Sequence, residues 1–189
     1  KNALNKISSG VYPYTIQFPV SSWWNYFYQN IFYCNKFLEN YKKANISESV
    51  KEKYAAEIKV IRALDYFYLT SLYGDVPLVT RVLSPEDPEM TAPRTPKQEV
   101  IDYILNDLDQ AAAKLGEDIP TGENSGRVNK WTALGLKSRI ALFNERWEIA
   151  YQAAESVMKS GKYELYNEGG HSEAYYNLFT VAANQTKGN

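Results

Sequence analysis

Apolar side chains in this sequence return every three or four residues through most of its length, the spacing of helices that cover one face or more. The longest such run lies between Ser47 and Tyr73. Tyr54, Ile58, Ile61, Tyr68 and Leu72 share one stripe there, and Val60, Ala63 and Phe67 share a second, so the helix is expected to be covered on more than one side. It reads as an inner helix of a layered helical stack. Ser47, or Ser49 with Glu52 three residues on, is placed to cap its start. Gly74 supplies a left-handed residue at its end, and Pro77 forbids resumption.

The same reading extends to both sides. Trp24, Phe27, Tyr28, Ile31, Cys34, Leu38 and Tyr41 predict a helix from Trp23 to Tyr41, broken by Lys42-Lys43-Ala44-Asn45. Val76 to Val79 is at most a short extended piece, and Ser84 to Glu89, rich in proline and acids, is a loop. Thr95, with Pro96 at the first helical position and Gln98 at the third, is expected to start the next helix. Its apolar face runs from Val100 to Leu115 and ends at Gly116. After a polar loop over residues 117–126, Asn129 can cap a helix from Trp131 to Phe143. The turn Asn144-Glu145-Arg146 leads to a partner helix from Trp147 to Lys159, stopped at Gly161.

The last two helices together span about 34 residues, the length of one tetratricopeptide hairpin. The preceding helices can pair in the same way. The fold expected is all-α, with tetratricopeptide-like hairpins stacked in a right-handed superhelix and joined by irregular loops. No hairpin of this kind buries its apolar face alone, so neighbours must supply the core.

Composition narrows the function. The 189 residues, 44% hydrophobic, suffice for one domain spanning the sequence. With 21 basic and 22 acidic residues intermingled, there is no polycationic face, which argues against nucleic acid as a partner. The lone cysteine, Cys34, excludes an internal disulfide framework and falls at a helical core position. His171 is the only histidine, and neither His-Glu-x-x-His nor a paired-histidine spacing exists for a metal. Glu86, Asp87 and Glu89 lack the regular oxygen spacing of a calcium loop. No glycine pattern cradles a phosphate, and no cofactor is expected. Glu57, in register with Ile61, Leu64 and Tyr68, should point into the stack. It reads either as a catalytic acid or as a structural carboxylate satisfied by an arginine such as Arg62 or Arg139 or by backbone amides, since an unpaired buried charge costs about 3–5 kcal/mol.

Residues 7 to 35 carry no charged side chain yet hold ten aromatic residues. Their first part, Ile7 to Ser22, has no helical period and reads as an irregular loop. Flat rings that stack on sugars, beside amides that reach hydroxyls, make Tyr12, Tyr14, Trp23, Trp24 and Asn25 the candidate ligand-binding residues. Trp24, Phe27 and Tyr28, at helical spacing, read first as packing.

Four stretches, taken in order, resemble the SusD/RagB outer-membrane lipoproteins. They are Glu57 through Arg62-Ala63 to Tyr73-Gly74-Asp75-Val76-Pro77; Pro93-Arg94-Thr95-Pro96 with Glu99-Val100; Gly126-Arg127; and Arg146-Trp147 to Ser160-Gly161-Lys162-Tyr163. The resemblance implies a non-catalytic protein that captures oligosaccharides at the outer face of the outer membrane and passes them to a TonB-dependent SusC-like transporter. It implies a signal peptide, a lipidated cysteine anchor and a second half, none of them within this sequence, which would then be part of a longer chain. It also favours the ion-pair reading of Glu57. Trp131 departs from the family pattern, where a small residue is expected. The alternatives are a tetratricopeptide-type scaffold for protein partners and a RagB-like protein that captures peptide.

Overall fold

The computed structural model describes residues 20–167 and 169–180. Its helices are α1 (Val20–Asn40), α2 (Glu48–Tyr73), α3 (Lys97–Lys114), α4 (Lys130–Phe143), α5 (Trp147–Lys159) and α6 (Gly170–Leu178). Short 3-10 turns cover Tyr41–Lys43, Pro88–Thr91 and Gly122–Asn124. Among the described residues, β structure amounts to one antiparallel bridge between Val76 and Thr95.

The helices from α1 to α5 pack each on the next in chain order, and of the helices not adjacent in sequence only α2 and α4 touch among the described residues. This is the zigzag of a tetratricopeptide-like stack. Small side chains line the contacts: Ala56 and Ala63 on α2, Ala111 on α3, Ala133 and Ala141 on α4, Ala150 and Ala153 on α5, all buried. With so little side chain between them, adjacent axes come close and the larger residues interdigitate around the alanines. Helix α3 supplies the centre of the core through Val100, Ile101, Ile104 and Leu108, each without exposed surface.

Helix α2 is covered differently from the expectation. Its buried side chains are Ala55, Ala56, Val60, Arg62, Ala63, Asp65, Tyr66, Phe67, Leu69 and Thr70. Tyr54, Ile61, Tyr68 and Leu72 are exposed. The helix is clasped by α1, α3 and α4, and on its outer stripe Arg127 lies over the Tyr54 ring at 5.0 Å and Phe27 stacks on Tyr68 at 5.6 Å.

A buried ion pair joins three of these helices, and it is not the one expected. Arg62 donates from Nε and Nη2 to Asp107 Oδ2 at 3.0 and 2.7 Å, and from Nη1 to Asn35 Oδ1 at 2.7 Å. Asn35 passes the connection on, its Nδ2 donating to the carbonyls of Val79 and Arg81 at 2.9 and 3.2 Å. Burial pushes the Asp107 acid up while Arg62 opposes it. Glu57 pairs instead with Arg127, which donates to both of its carboxylate oxygens. Neither Arg62 nor Arg139 serves it. Arg62 stands five residues from Glu57, about 140° round the helix, and so faces α1 and α3.

Caps divide in the same way between expected and unexpected. Asn129 accepts from Thr132 N at 2.9 Å and forms the capping box of α4. Its Nδ2 also donates to Tyr163 Oη at 2.9 Å. Ser47 occupies the cap position of α2 without a capping bond from its side chain. Thr95 does not cap α3, because its backbone is committed to the bridge with Val76 and its hydroxyl accepts from Leu78 N. The α3 cap comes from afar: Lys97 N donates to Asp75 Oδ1 at 2.8 Å. Trp131, bulky where a small residue is expected, is buried, and its indole N–H donates to Glu117 O at 2.8 Å, tying down the loop that follows α3. Between α4 and α5 the reversal is made by Glu145 at φ 60, with Arg146 N donating to Ala141 O at 2.9 Å.

Two outcomes follow for chemical denaturation. Arg62→Ala leaves Asp107 unpaired in the core and is expected to lower stability by about 3–5 kcal/mol, most of it recovered in an Arg62→Met, Asp107→Leu double variant. Glu145→Gly relieves a left-handed backbone with a side chain and is expected to add roughly 1 kcal/mol.

Candidate functional site

Trp23, Trp24 and Asn25 are consecutive in α1, so their side chains leave the helix about 100° apart. They do not form one surface. Trp24 turns inward, against Tyr28 at 4.9 Å and edge-on to Tyr73 at 5.0 Å between ring centroids. Trp23 is half-buried and Asn25 exposed. Tyr12 and Tyr14 lie outside the described residues. Within the first turns of α1, then, Trp23 and Asn25 keep surface for a ligand and Trp24 is largely spent on packing.

The Trp24 cluster holds the exit of α2. Arg94 lies over the Trp24 ring at 5.6 Å and donates from Nη1 to the carbonyls of Tyr73 and Asp75 at 3.3 and 3.0 Å. Gly74 takes φ 70 there, where the chain leaves the helix. Tyr28 Oη donates to Pro77 O at 2.7 Å, and burial pushes the phenol above its usual range. Together with the Val76 to Thr95 bridge and the Asp75 cap, these contacts fix both ends of the 76–95 connection.

Two polar hollows open on the stack. One, of about 350 Å3, is walled by Asn35, Glu39, Tyr41, Lys59, Arg62 and Tyr103, with Arg81 at its rim. Tyr103 lies under the Arg62 guanidinium at 5.3 Å. Arg81 is held by Asp87 and Glu89, each at 2.9 Å, and holds both carboxyls below their usual range. Two of the three acids weighed for calcium are therefore engaged by an arginine. The second hollow, of about 290 Å3, is formed by Lys53, Asp118, Thr121, Asn124, Arg127 and Asn129. Both offer amide, hydroxyl and charged groups of the kind that hold sugar hydroxyls. Neither was foreseen, because the walls of the first come from several separate elements and those of the second from α2 and the α3–α4 connection, which meet only in the folded chain. The signal available in the sequence was Arg62, a charge flanked directly by Val60, Ile61, Ala63 and Leu64 in α2.

Groups suited to other chemistry are occupied or isolated. Both Glu57 oxygens accept from Arg127. Cys34 is buried, and burial pushes its thiol up to about 11. His171 falls in the first turn of α6. Among the described residues no group of three or more histidine, cysteine or carboxylate side chains gathers to hold a metal ion, and no helix is long and apolar enough to cross a membrane.

A family model for SusD-like proteins, described as "Starch-binding associating with outer membrane", matches residues 2–142. The chain belongs to the SusD-like family. A SusD-like protein of Formosa agariphila is 29% identical over 147 residues, covering 77% of this chain and 28% of that protein. A SusD-like protein of Bacteroides ovatus is 27% identical over 175 residues, covering 82% of this chain and 31% of that protein. The chain thus spans less than a third of the length of these two relatives. Among solved structures, a SusD-like protein of Bacteroides fragilis superimposes with a TM-score of 0.78 at 33% identity, over 86% of this chain and 31% of that one. A laminarin-binding SusD-like protein superimposes with a TM-score of 0.76 at 28% identity, over 88% of this chain and 36% of that one. The stretches that carry the resemblance are those that meet in space: Glu57 with Arg127, and Asp75 with Arg94 and Lys97. In this SusD-like chain they are structural ties.

Trp24→Ala is expected to cost roughly 2–3 kcal/mol of stability by emptying the cluster under Arg94. Trp23→Ala is expected to cost less than about 1 kcal/mol. Thermal and urea unfolding of the two variants, side by side, measures the difference.

Proposed function

We propose that this protein is a non-catalytic glycan-binding protein of the outer-membrane surface. In this reading it is held by a lipid anchor on the extracellular face and hands oligosaccharides to a TonB-dependent SusC-like transporter. The observation that carries the reading is family membership together with close superposition on a laminarin-binding relative. A carbohydrate-binding SusD-like protein of Bacteroides fragilis, at 29% identity and a TM-score of 0.70, supports it further. The helical stack serves as an inert frame. The rings and amides at the start of α1, Trp23 and Asn25 with Tyr12 and Tyr14 before them, supply the ligand surface, and Trp24 braces it from below. No cofactor takes part. The engagement of Glu57 by Arg127 favours binding over hydrolysis.

Calorimetry of the protein against laminarin, starch and other soluble polysaccharides tests this. At least one is expected to bind, with Trp23→Ala or Tyr12→Ala weakening the affinity by roughly 1 kcal/mol, about fivefold. Absence of glycan binding, with a partner receptor still co-purifying, would favour a protein-interaction scaffold. Peptide binding would favour capture of the RagB kind. A hydrolytic activity lost in Glu57→Gln would overturn the non-catalytic reading.

A further inference from the structure

The hollow between α1, α2, α3 and the 76–95 connection has spent most of its acceptors and kept its donors. Lys42 from the turn after α1, Lys59 and Arg62 from α2, and Arg81 from the connection bring positive charge to it. Lys59 and Arg62 stand three residues apart, so their side chains leave α2 on one side. The carboxylates nearby are engaged. Asp107 accepts from Arg62, and Asp87 and Glu89 pair with Arg81. Glu39, in the wall itself, accepts from Val82 N at 2.7 Å. Asn35 is consumed at both ends, accepting from Arg62 and donating to the carbonyls of Val79 and Arg81.

What remains is positive charge. Among the described residues neither Lys42 nor Lys59 has a carboxylate partner. Lys42 Nζ lies by the Tyr41 ring at 5.9 Å, and Lys59 Nζ donates to the neutral amide of Gln110. The Lys59 charge is felt at Asp107, where it acts with Arg62 against the upward push of burial. The sequence as a whole has a formal net charge of -1, so an anion is drawn here by the local arrangement and not by the protein at large. A neutral sugar uses such a wall only in part. Ammonium and guanidinium groups donate and never accept, and each hydroxyl they hold brings a proton of its own for acceptors that are largely committed. A carboxylate or a sulfate brings acceptors alone, and charged ones. At about 350 Å3 the hollow lies at the small end of ligand pockets, roughly 300–1,000 Å3, a size for one or two sugar residues.

We propose, building on glycan capture as read above, that this hollow holds the acidic group of a captured sugar chain, a uronic acid carboxylate or a sulfate ester, between Lys42, Lys59 and Arg62. Calorimetry of the protein expressed from its natural reading frame tests it with acidic probes and their neutral counterparts: polygalacturonate against its methyl ester, and sulfated laminarin against laminarin, with sodium sulfate alone as a third arm. At low salt at least one acidic probe is expected to bind about tenfold more tightly than its counterpart, and the one that gains tells carboxylate from sulfate. The Lys42→Gln, Lys59→Gln double variant is expected to lose that advantage at an unchanged melting temperature. Lys159→Gln, on α5, is expected to keep it. Neutral glycans that bind with no gain from the acidic group overturn the proposal and leave glycan capture standing. Binding of none of the polysaccharides removes both. An acidic advantage that survives the double variant overturns the assignment to this hollow, and so does sodium sulfate bound as tightly as the sulfated polymer.

Discussion

One guanidinium sets the registers on which this stack depends. Arg62 is almost fully buried, and its donors are divided between Asp107 on α3 and Asn35 on α1, while Asn35 holds the extended run at Val79 and Arg81. Interfaces lined with alanine are smooth, and a helix can slide along one by a turn at little cost in apolar burial. It cannot slide past a planar fork whose partners must lie at fixed angles. A lysine would keep the charge and lose the fork. Such a group costs desolvation energy that an all-apolar core would avoid; what it contributes is a single alignment of three helices and one loop.

Periodicity in the sequence was enough to find five helices, the glycine at φ 70 that ends α2, the Asn129 cap and the tight reversal before α5. Those features are local, settled within one or two turns of chain. The stripe of Tyr54, Ile61, Tyr68 and Leu72 was equally legible, but a stripe records only that something apolar should lie against it. Which neighbour does so depends on packing angles that no window of sequence contains. The Glu57 partner shows the same limit: Arg62 is near in sequence but on the wrong side of the helix, and Arg127, 70 residues away, arrives through the α3 to α4 loop. Asp75, likewise, could not be recognised as the cap of α3 until the bridge between Val76 and Thr95 set the two segments together. For the proposed binding surface, Trp23, Trp24 and Asn25 were grouped by the chemistry of their side chains alone. Their helical geometry sends them three different ways.

The segments that resemble the family most are those under the tightest mechanical demands. Gly74, Asp75, Arg94 and Thr95 settle how the chain leaves one helix and enters the next. The Gly126-Arg127 stretch brings a counter-ion to Glu57, and Tyr163 closes on the Asn129 cap. A set of joints like this specifies a frame and leaves the rings and loops around it at liberty to vary.

The chain-order packing of α1 to α5 also bears on how the molecule comes into being. Each of these helices packs on its neighbours in the chain, so loops to be closed are short and little entropy is lost before contacts repay it. Such a stack can assemble progressively from its first hairpin while later residues are still emerging, with the Arg62 junction locking as soon as Asp107 arrives.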